Sequence, residues 1–369
     1  MNTYYSPTNI NTSDEMYRRA LYFQAQAKQE RREIRRLSNM LGLAILAFEF
    51  VQVIFSFFLA FNPEINELYE SSMLFQEGIS IILVEFFGLV VPFGLIALIN
   101  KNKYKVNLIP NDKVGFAKGF RWVAFGMLGC MAANFIVDGI IAAFNAVGYD
   151  LDYPEMLKPD SAFACVMAIV ATAVVPALCE EFAMRCCSLG LMRNYGKAFG
   201  VFSVSIIFGL LHGNVIQFAF AGLVGVVLGY VTVKTGSVLP AMLIHGLNNG
   251  ISAICDVMDF VLEKNPNAFS AISGAVEKAG EEASGIEPTD IFTYAVFGFW
   301  IVLGIICAAW IFFKGEFKNE TKKAEKQPFA NSLGTKLGTF ASAPLMLLSY
   351  PFLLWATFAS IVPIDTPVK

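Results

Sequence analysis

The chain has 369 residues, of which 56% are hydrophobic and only 15% are charged, and its formal net charge is −3. A soluble domain is closer to a quarter charged, so this composition argues against a soluble protein, and the slight negative charge predicts no nucleic-acid partner. The apolar residues form runs of about 20, the length that crosses roughly 30 Å of hydrocarbon. We therefore predict an all-α fold: a polytopic transmembrane helical bundle, multi-pass in the cell membrane.

The first 40 residues differ from the rest because they are polar and rich in arginine and lysine. We interpret 1–40 as a basic cytoplasmic N-terminal segment, and its polar start predicts no cleavable signal peptide. The stretch 13–37 favours a helix. It either lies on the anionic inner leaflet or is a solvated helix that only enforces orientation, and the sequence leaves both interpretations open.

The lengths of the apolar runs predict about nine membrane spans. They are approximately 41–62, 78–99, 120–147, 161–182, 198–216, 218–233, 238–258, 291–313 and 338–361. They form three groups: N-terminal transmembrane helices in 41–160, a core in 161–258 and C-terminal transmembrane helices in 291–369. The acidic loop 259–290 follows the core, and the sequence does not decide whether this loop forms a short amphipathic helix or a lid. The basic loop 314–337 joins the last two spans.

The loops between these spans alternate in charge. Basic loops stay in the cytoplasm, so the N-terminal segment and 314–337 are predicted to be cytoplasmic and 259–290 extracytoplasmic. The alternation places the N-terminus inside and the C-terminus outside, which requires an odd number of spans.

The fourth span ends in a cluster of charged residues. Glu181 and Arg185 are four residues apart on a helix and can form an ion pair. Glu180 points about 100° away from Glu181, so it faces a different surface and is a candidate general base. The alternative is that both acids only mark the cytoplasmic end of the helix.

Both histidines of the chain lie in predicted spans. Phe208 and His212 share a helical face in the fifth span, and His245 and Asn249 share one in the seventh. Intramembrane ionisable groups usually face a cavity and carry function. The alternatives are a satisfied packing role for His212 and interhelical hydrogen bonding by His245 and Asn249.

Together these residues could hydrolyse an amide bond. Glu180 and one histidine would activate water, while the other histidine and Asn249 would donate hydrogen bonds to the oxyanion. Glu180, His212 and His245 could instead hold Zn²⁺ with an open coordination position. Both alternatives remain open, so no cofactor is assigned and zinc is the candidate.

The three motifs resemble those of the CPBP family, also called the Abi or CAAX-protease family, whose members include the type II CAAX prenyl endopeptidases. The resemblance is carried by Glu180-Glu181-x-x-x-Arg185, Phe208-x-x-x-His212 and His245-x-x-x-Asn249 on three separate spans. It covers about 161–258 and implies a catalytic helical core around a polar cavity.

By the same resemblance Glu180 would be the base and His212 its partner on the water, while His245 and Asn249 would stabilise the oxyanion. Glu181, Arg185 and Phe208 would support the site. The family pattern implies either a glutamate-type or a metallo-endopeptidase.

The sequence therefore predicts an intramembrane endopeptidase whose partners are the lipid bilayer and a peptide or membrane-attached protein substrate. The alternative is a non-catalytic membrane scaffold, for example a bacteriocin-immunity-type binding protein. A proton-relay transporter is disfavoured because no inverted repeat or pair of matching broken helices is visible. The substrate, its prenylation and the oligomeric state are not predicted.

Overall fold

The computed structural model describes residues 12–151, 157–265, 288–317 and 330–363. Within these residues the predicted all-α bundle is confirmed. The helices are α1 (Thr12–Ala60), α2 (Pro63–Ser71), α3 (Met73–Tyr104), α4 (Phe116–Ala146), α5 (Ala162–Tyr195), α6 (Lys197–Leu210), α7 (Val215–Thr235), α8 (Leu239–Lys264), α9 (Pro288–Phe313), α10 (Leu333–Ala341) and α11 (Pro344–Ala359). Most of the loop 259–290, part of the loop 314–337 and the start of the N-terminal segment lie outside the described residues.

Each of the nine apolar runs coincides with one helix or with the bent pair α10–α11. In the described part of the chain, six helices are long and apolar enough to cross a membrane, or seven when α10 and α11, bent by 76°, count as one. The helix α6 has 14 residues, about 21 Å, which is short for a hydrocarbon core of roughly 30 Å. The number of crossings therefore stays a prediction.

Two of the helix ends that differ from the sequence-based boundaries affect the predicted site. The fourth span was expected to end at 182, but α5 continues to Tyr195, so Glu180 and Glu181 lie in the interior of a helix. The interpretation that these acids mark a helix end is therefore wrong. The fifth span was expected to reach 216, but α6 stops at Leu210 and His212 lies in the following turn, which Gly213 completes with φ +70°. The apolar pattern runs on past Leu210 and so does not reveal this turn.

The described residues form two large apolar clusters and a smaller one around Met73, Ala164 and Ala168. One large cluster includes the fully buried Phe93 and Phe199 and brings together α1, α3, α5, α6 and α11. The other large cluster includes Trp122 and Ile244 and brings together α4, α7, α8 and α9. Large apolar side chains also cover the outer surface, as expected for helices that face lipid, and Phe313 is 83% exposed.

The two ends of the bundle are closed by different contacts. At one end Lys336 forms an ion pair with Glu30 of α1 at 2.9 Å, and Arg121 of α4 pairs with Glu316 at 2.7 Å. At the other end a short antiparallel ribbon pairs β1 (Tyr149–Leu151) with β2 (Ile361–Pro363). These contacts join segments that are far apart in the sequence and fix the order of the helices.

Candidate functional site

Helix α5 has an irregular backbone around the two predicted acids. The α-helical turn Val175–Glu181 lies between two π-helical segments, Val170–Val174 and Phe182–Ser188. Pro176 lacks an amide hydrogen and so removes one bond of the helical ladder near the first segment. A π-helical segment changes the direction of the side chains that follow it and is frequent at functional sites.

The predicted ion pair between Glu181 and Arg185 is present. Arg185 Nη1 lies 3.1 Å from Glu181 Oε1, and the two side chains are 1% and 0% exposed. The guanidinium also stacks over the Phe208 ring, with 4.5 Å from its carbon to the ring centroid, and Nη2 donates to the Gly225 carbonyl of α7 at 3.4 Å. The pair therefore ties α5 to α6 and α7.

His245 of α8 faces both glutamates of α5. Its Nδ1 lies 2.9 Å from Glu181 Oε1, and its Nε2 lies 3.8 Å from Glu180 Oε2. The imidazole donates a hydrogen bond to the Glu181 carboxylate, whereas the distance to Glu180 is too long for a hydrogen bond. Glu181 therefore orients the ring so that Nε2 points towards Glu180, whose side chain is 14% exposed.

Helix α8 packs on α5 at this level with two glycines, Gly246 and Gly250, on the contact face. A Cβ on Gly246 would meet the Ala173 carbonyl at 3.4 Å, and one on Gly250 would meet the Ala173 Cβ at 3.9 Å. These are ordinary van der Waals distances, so a methyl group would fit at either position. The packing of α8 on α5 brings His245 within reach of the acids.

His212 is oriented by the end of α6. Its Nδ1 donates to the Phe208 carbonyl at 2.8 Å, which in a neutral ring leaves Nε2 as an acceptor. The Phe208 ring lies between the two imidazoles, with centroid distances of 5.0 Å to His212 and 6.1 Å to His245. Phe208 thus contacts both histidines and Arg185.

Asn249 lies one turn beyond His245. It makes an interhelical hydrogen bond, which the sequence analysis gave as the alternative to a catalytic role. Its Nδ2 donates to the Thr172 carbonyl of α5 at 3.1 Å, and its Oδ1 accepts from Asn248 at 3.3 Å. An amide nitrogen carries two hydrogens, so one donor remains for a further acceptor.

A buried acid that the sequence analysis did not select lies next to the cluster. Glu85 is on the π-helical segment Ser80–Val90 of α3, is 7% exposed, and repels the Glu180 carboxylate electrostatically. Oε2 of Glu85 and Oε2 of Glu180 are both buried without a hydrogen-bonding partner among the described protein groups. The sequence did contain a signal for Glu85, because an acid within an apolar run is by itself a candidate functional residue.

The zinc alternative does not fit this arrangement. Within the described residues, no three or more His, Cys, Asp or Glu side chains are grouped so that they could hold a metal ion. The set Glu180, His212 and His245 therefore does not converge as ligands, and no step below is routed through a metal.

The fold and the cluster define a class: a polytopic helical membrane protein with a buried centre of acids, imidazoles and a guanidinium. The family model described as type II CAAX prenyl endopeptidase Rce1-like matches residues 162–251, from the start of α5 into α8. The resemblance inferred from the motifs is confirmed: this block, about a quarter of the chain, is similar to the type II CAAX prenyl endopeptidases. No curated protein and no solved structure matches the chain.

Proposed function

We propose that the protein is an intramembrane endopeptidase that hydrolyses a peptide bond in a peptide or a membrane-attached protein. The observation that carries the proposal is the contact of His245 with both Glu181 and Glu180 inside the matched block. Ionisable groups are expensive within a membrane. A cluster that holds one imidazole against two carboxylates is therefore better explained by chemistry than by packing.

In the proposed reaction Glu180 accepts a proton from a water molecule, and His212 orients that water through its unprotonated Nε2. The oxygen of the water attacks the carbonyl carbon of the substrate and forms a tetrahedral intermediate. Glu180 then returns the proton to the leaving amine as the carbon–nitrogen bond breaks. The orientation of His212 by the Phe208 carbonyl supports this role.

The oxyanion of the intermediate is stabilised by His245 and by the remaining amide hydrogen of Asn249. His245 already donates from Nδ1 to Glu181, so donation from Nε2 as well requires the imidazolium form. Glu181 and the oxyanion together then balance the two positive charges of Arg185 and the imidazolium. Arg185, Phe208 and Thr172 hold the participating helices in place.

We propose that the protein crosses the membrane with its N-terminus in the cytoplasm and its C-terminus outside. Two contacts support this orientation, because each joins loops with the same predicted side. Lys158 lies in the acidic loop after the third predicted span, which carries Asp150 and Asp160, and pairs with Asp259 of the acidic loop 259–290 at 2.9 Å. Arg31 of the basic N-terminal segment donates to Asn331 of the basic loop 314–337 at 3.0 Å.

The proposed function is tested with Glu180→Gln and His245→Ala in purified protein. The probes are a CAAX-type reporter peptide with a farnesylated cysteine and the same peptide without the farnesyl group. We expect Glu180→Gln to lower cleavage by about 10² to 10⁴-fold, the contribution typical of a general base. Loss of an oxyanion donor in His245→Ala is expected to lower it by about 10² to 10³-fold.

Glu77→Gln is the matched control, because Glu77 is a buried acid of α3 with no contact to the cluster among the interactions described. It is expected to cleave like the wild type. Membrane-peptide proteomics in cells with the wild type or Glu180→Gln extends the test to natural substrates. Identical peptide profiles, together with retained biological activity of Glu180→Gln, would favour the non-catalytic scaffold instead.

A further inference from the structure

A groove on the outer side of α1 is separate from the site described above. Its upper part is a cavity of about 600 Å³. Five cationic side chains line it: Lys28, Arg31, Arg32, Arg35 and Arg36. They occupy positions i, i+3, i+4, i+7 and i+8, so they share one face of the helix. A face with this density of positive charge is suited to an anion.

The lower part of the groove is apolar. A second cavity of about 420 Å³ is lined by residues that include Leu46, Phe50, Val53 and Phe352, and its polar member is Glu49. Leu43 lines both cavities, so the two parts are continuous. The groove therefore changes from cationic to apolar along the axis of a single helix.

The walls of the groove are fixed by the contact between α1 and α11. Asn39 Oδ1 accepts a hydrogen bond from the Leu345 amide at 3.0 Å. At Gly42 the helices are so close that a Cβ would lie 2.6 Å from the Leu345 carbonyl carbon. The groove is thus a built feature between two packed helices rather than an accident of side-chain positions.

The neighbouring acids of α1 neutralise this face only in part, because each is paired with a cation of another element. Glu33 is held by Lys103 at 2.7 Å, and Glu30 is held by Lys336 at 2.9 Å. Both acids therefore have cationic partners on other elements. Among the cations that line the cavity, Arg31 also donates to Asn331 and Arg36 also attracts Glu33. Lys28, Arg32 and Arg35 have no acidic partner among the interactions of the described residues, so they can interact with an anion from outside.

The dimensions of the groove match one leaflet of a bilayer. From Leu43 to Val53 the helix rises by about 15 Å, half of a hydrocarbon core of roughly 30 Å. A phosphate at the level of Arg32 and Arg35 would place an acyl chain beside this apolar stretch. Inorganic phosphate shares the headgroup chemistry but would leave the lower part of the groove empty.

We propose that this groove binds an anionic phospholipid, with its phosphate on the cationic face of α1 and one acyl chain against Leu46, Phe50 and Val53. Basic pockets next to transmembrane helices are suited to such headgroups. The site does not depend on the proposed protease activity, since none of its lining residues belongs to the cluster around Glu180.

The test is native mass spectrometry of the full-length protein in detergent, titrated with dioleoylphosphatidylglycerol, dioleoylphosphatidylcholine or inorganic phosphate. We expect the phosphatidylglycerol to bind more tightly than the phosphatidylcholine, which has the same acyl chains. The double variant Arg32→Gln/Arg35→Gln should bind phosphatidylglycerol about thirtyfold more weakly, as expected for two basic residues near an anionic headgroup. Leu46→Trp should weaken the binding of this lipid by filling the acyl part, without changing the binding of phosphate.

The matched control is Arg18→Gln/Arg19→Gln, which removes the same charge from the same helix outside the groove. It is expected to bind phosphatidylglycerol like the wild type, and thermal unfolding checks that all variants are folded. Equal binding of both lipids, or an equal loss in the control variant, would overturn the proposal in favour of diffuse attraction. Phosphate binding with no effect of Leu46→Trp on phosphatidylglycerol would also overturn it and leave a soluble-anion site.

Discussion

The buried cluster on α5 and α8 and the cationic face of α1 use similar charged side chains under opposite conditions. In the cluster, Glu181 and Arg185 are almost completely buried and contact each other, and His245 adds a third partner. On α1, Arg32 and Arg35 are exposed and lie among other cations. Because a buried charge must be paired while an exposed one need not be, the cluster depends on several helices and the α1 face on only one.

The largest expected effect comes from breaking the buried pair. Arg185→Met leaves Glu181 buried without its cation and with only His245 as a partner, which we expect to lower the free energy of unfolding by about 3 to 5 kcal/mol. Denaturant unfolding in mixed micelles measures the effect. The double variant Glu181→Gln/Arg185→Met removes both charges and should recover much of the loss, so equal stability of the two variants would contradict this view of the pair.

The next effect concerns the wall of the α1 groove. In Gly42→Ala the new Cβ would lie 2.6 Å from backbone atoms of Leu345 and Met346, which cannot rotate away. We expect a loss of about 1 to 3 kcal/mol in the free energy of unfolding, as for other overpacked contacts. Gly78→Ala is the control, because a Cβ there meets nothing within 4 Å, and it should not destabilise the protein.

The third prediction tests whether Glu85 lowers the stability of the fold but contributes to cleavage. Glu85→Met removes a buried carboxylate that has an unpartnered oxygen, so we expect a gain of about 1 to 3 kcal/mol in the free energy of unfolding. Cleavage should fall, since Glu85 acts on Glu180 electrostatically. Glu67→Met, at an exposed acid of α2, is the control for charge removal. A gain in stability with unchanged cleavage would mean that Glu85 has no part in the reaction.

The smallest effect is expected on the cationic face in the absence of lipid. Arg32→Gln/Arg35→Gln should change the free energy of unfolding in lipid-free detergent by less than about 0.5 kcal/mol, since both side chains are exposed. The comparison between the two regions would fail if this variant were destabilised as much as Arg185→Met.

Local features of the site could be predicted from the sequence because they depend on one helix. The spacing of Glu181 and Arg185 predicts their ion pair, and the spacing of the α1 cations places them on one face. The roles assigned to Glu180, His212, His245 and Asn249 stay predictions.

Other features could not be predicted because they depend on how helices are rotated against each other. Periodicity indicates which residues share a face, but not which helix that face meets. The hydrogen bond from His245 to Glu181, the proximity of Glu85 to Glu180 and the donation from Asn249 to Thr172 all cross between helices. The continuation of α5 past Glu180 and Glu181 also depends on another helix. Arg185 is buried against Phe208 of α6, and this contact allows charged residues inside α5.

The sequence alone determined that the protein is a multi-helix membrane protein, which stretches of the chain contain its apolar helices and which motifs relate it to CAAX proteases. Apolar run length and residue spacing are properties of the chain itself. The tertiary structure decided where α6 ends, that the acids of α5 lie inside a helix, and that Glu85 joins them. The physical reason is that the energy of a buried charge depends on the partners that other helices bring to it, and only packing specifies those partners.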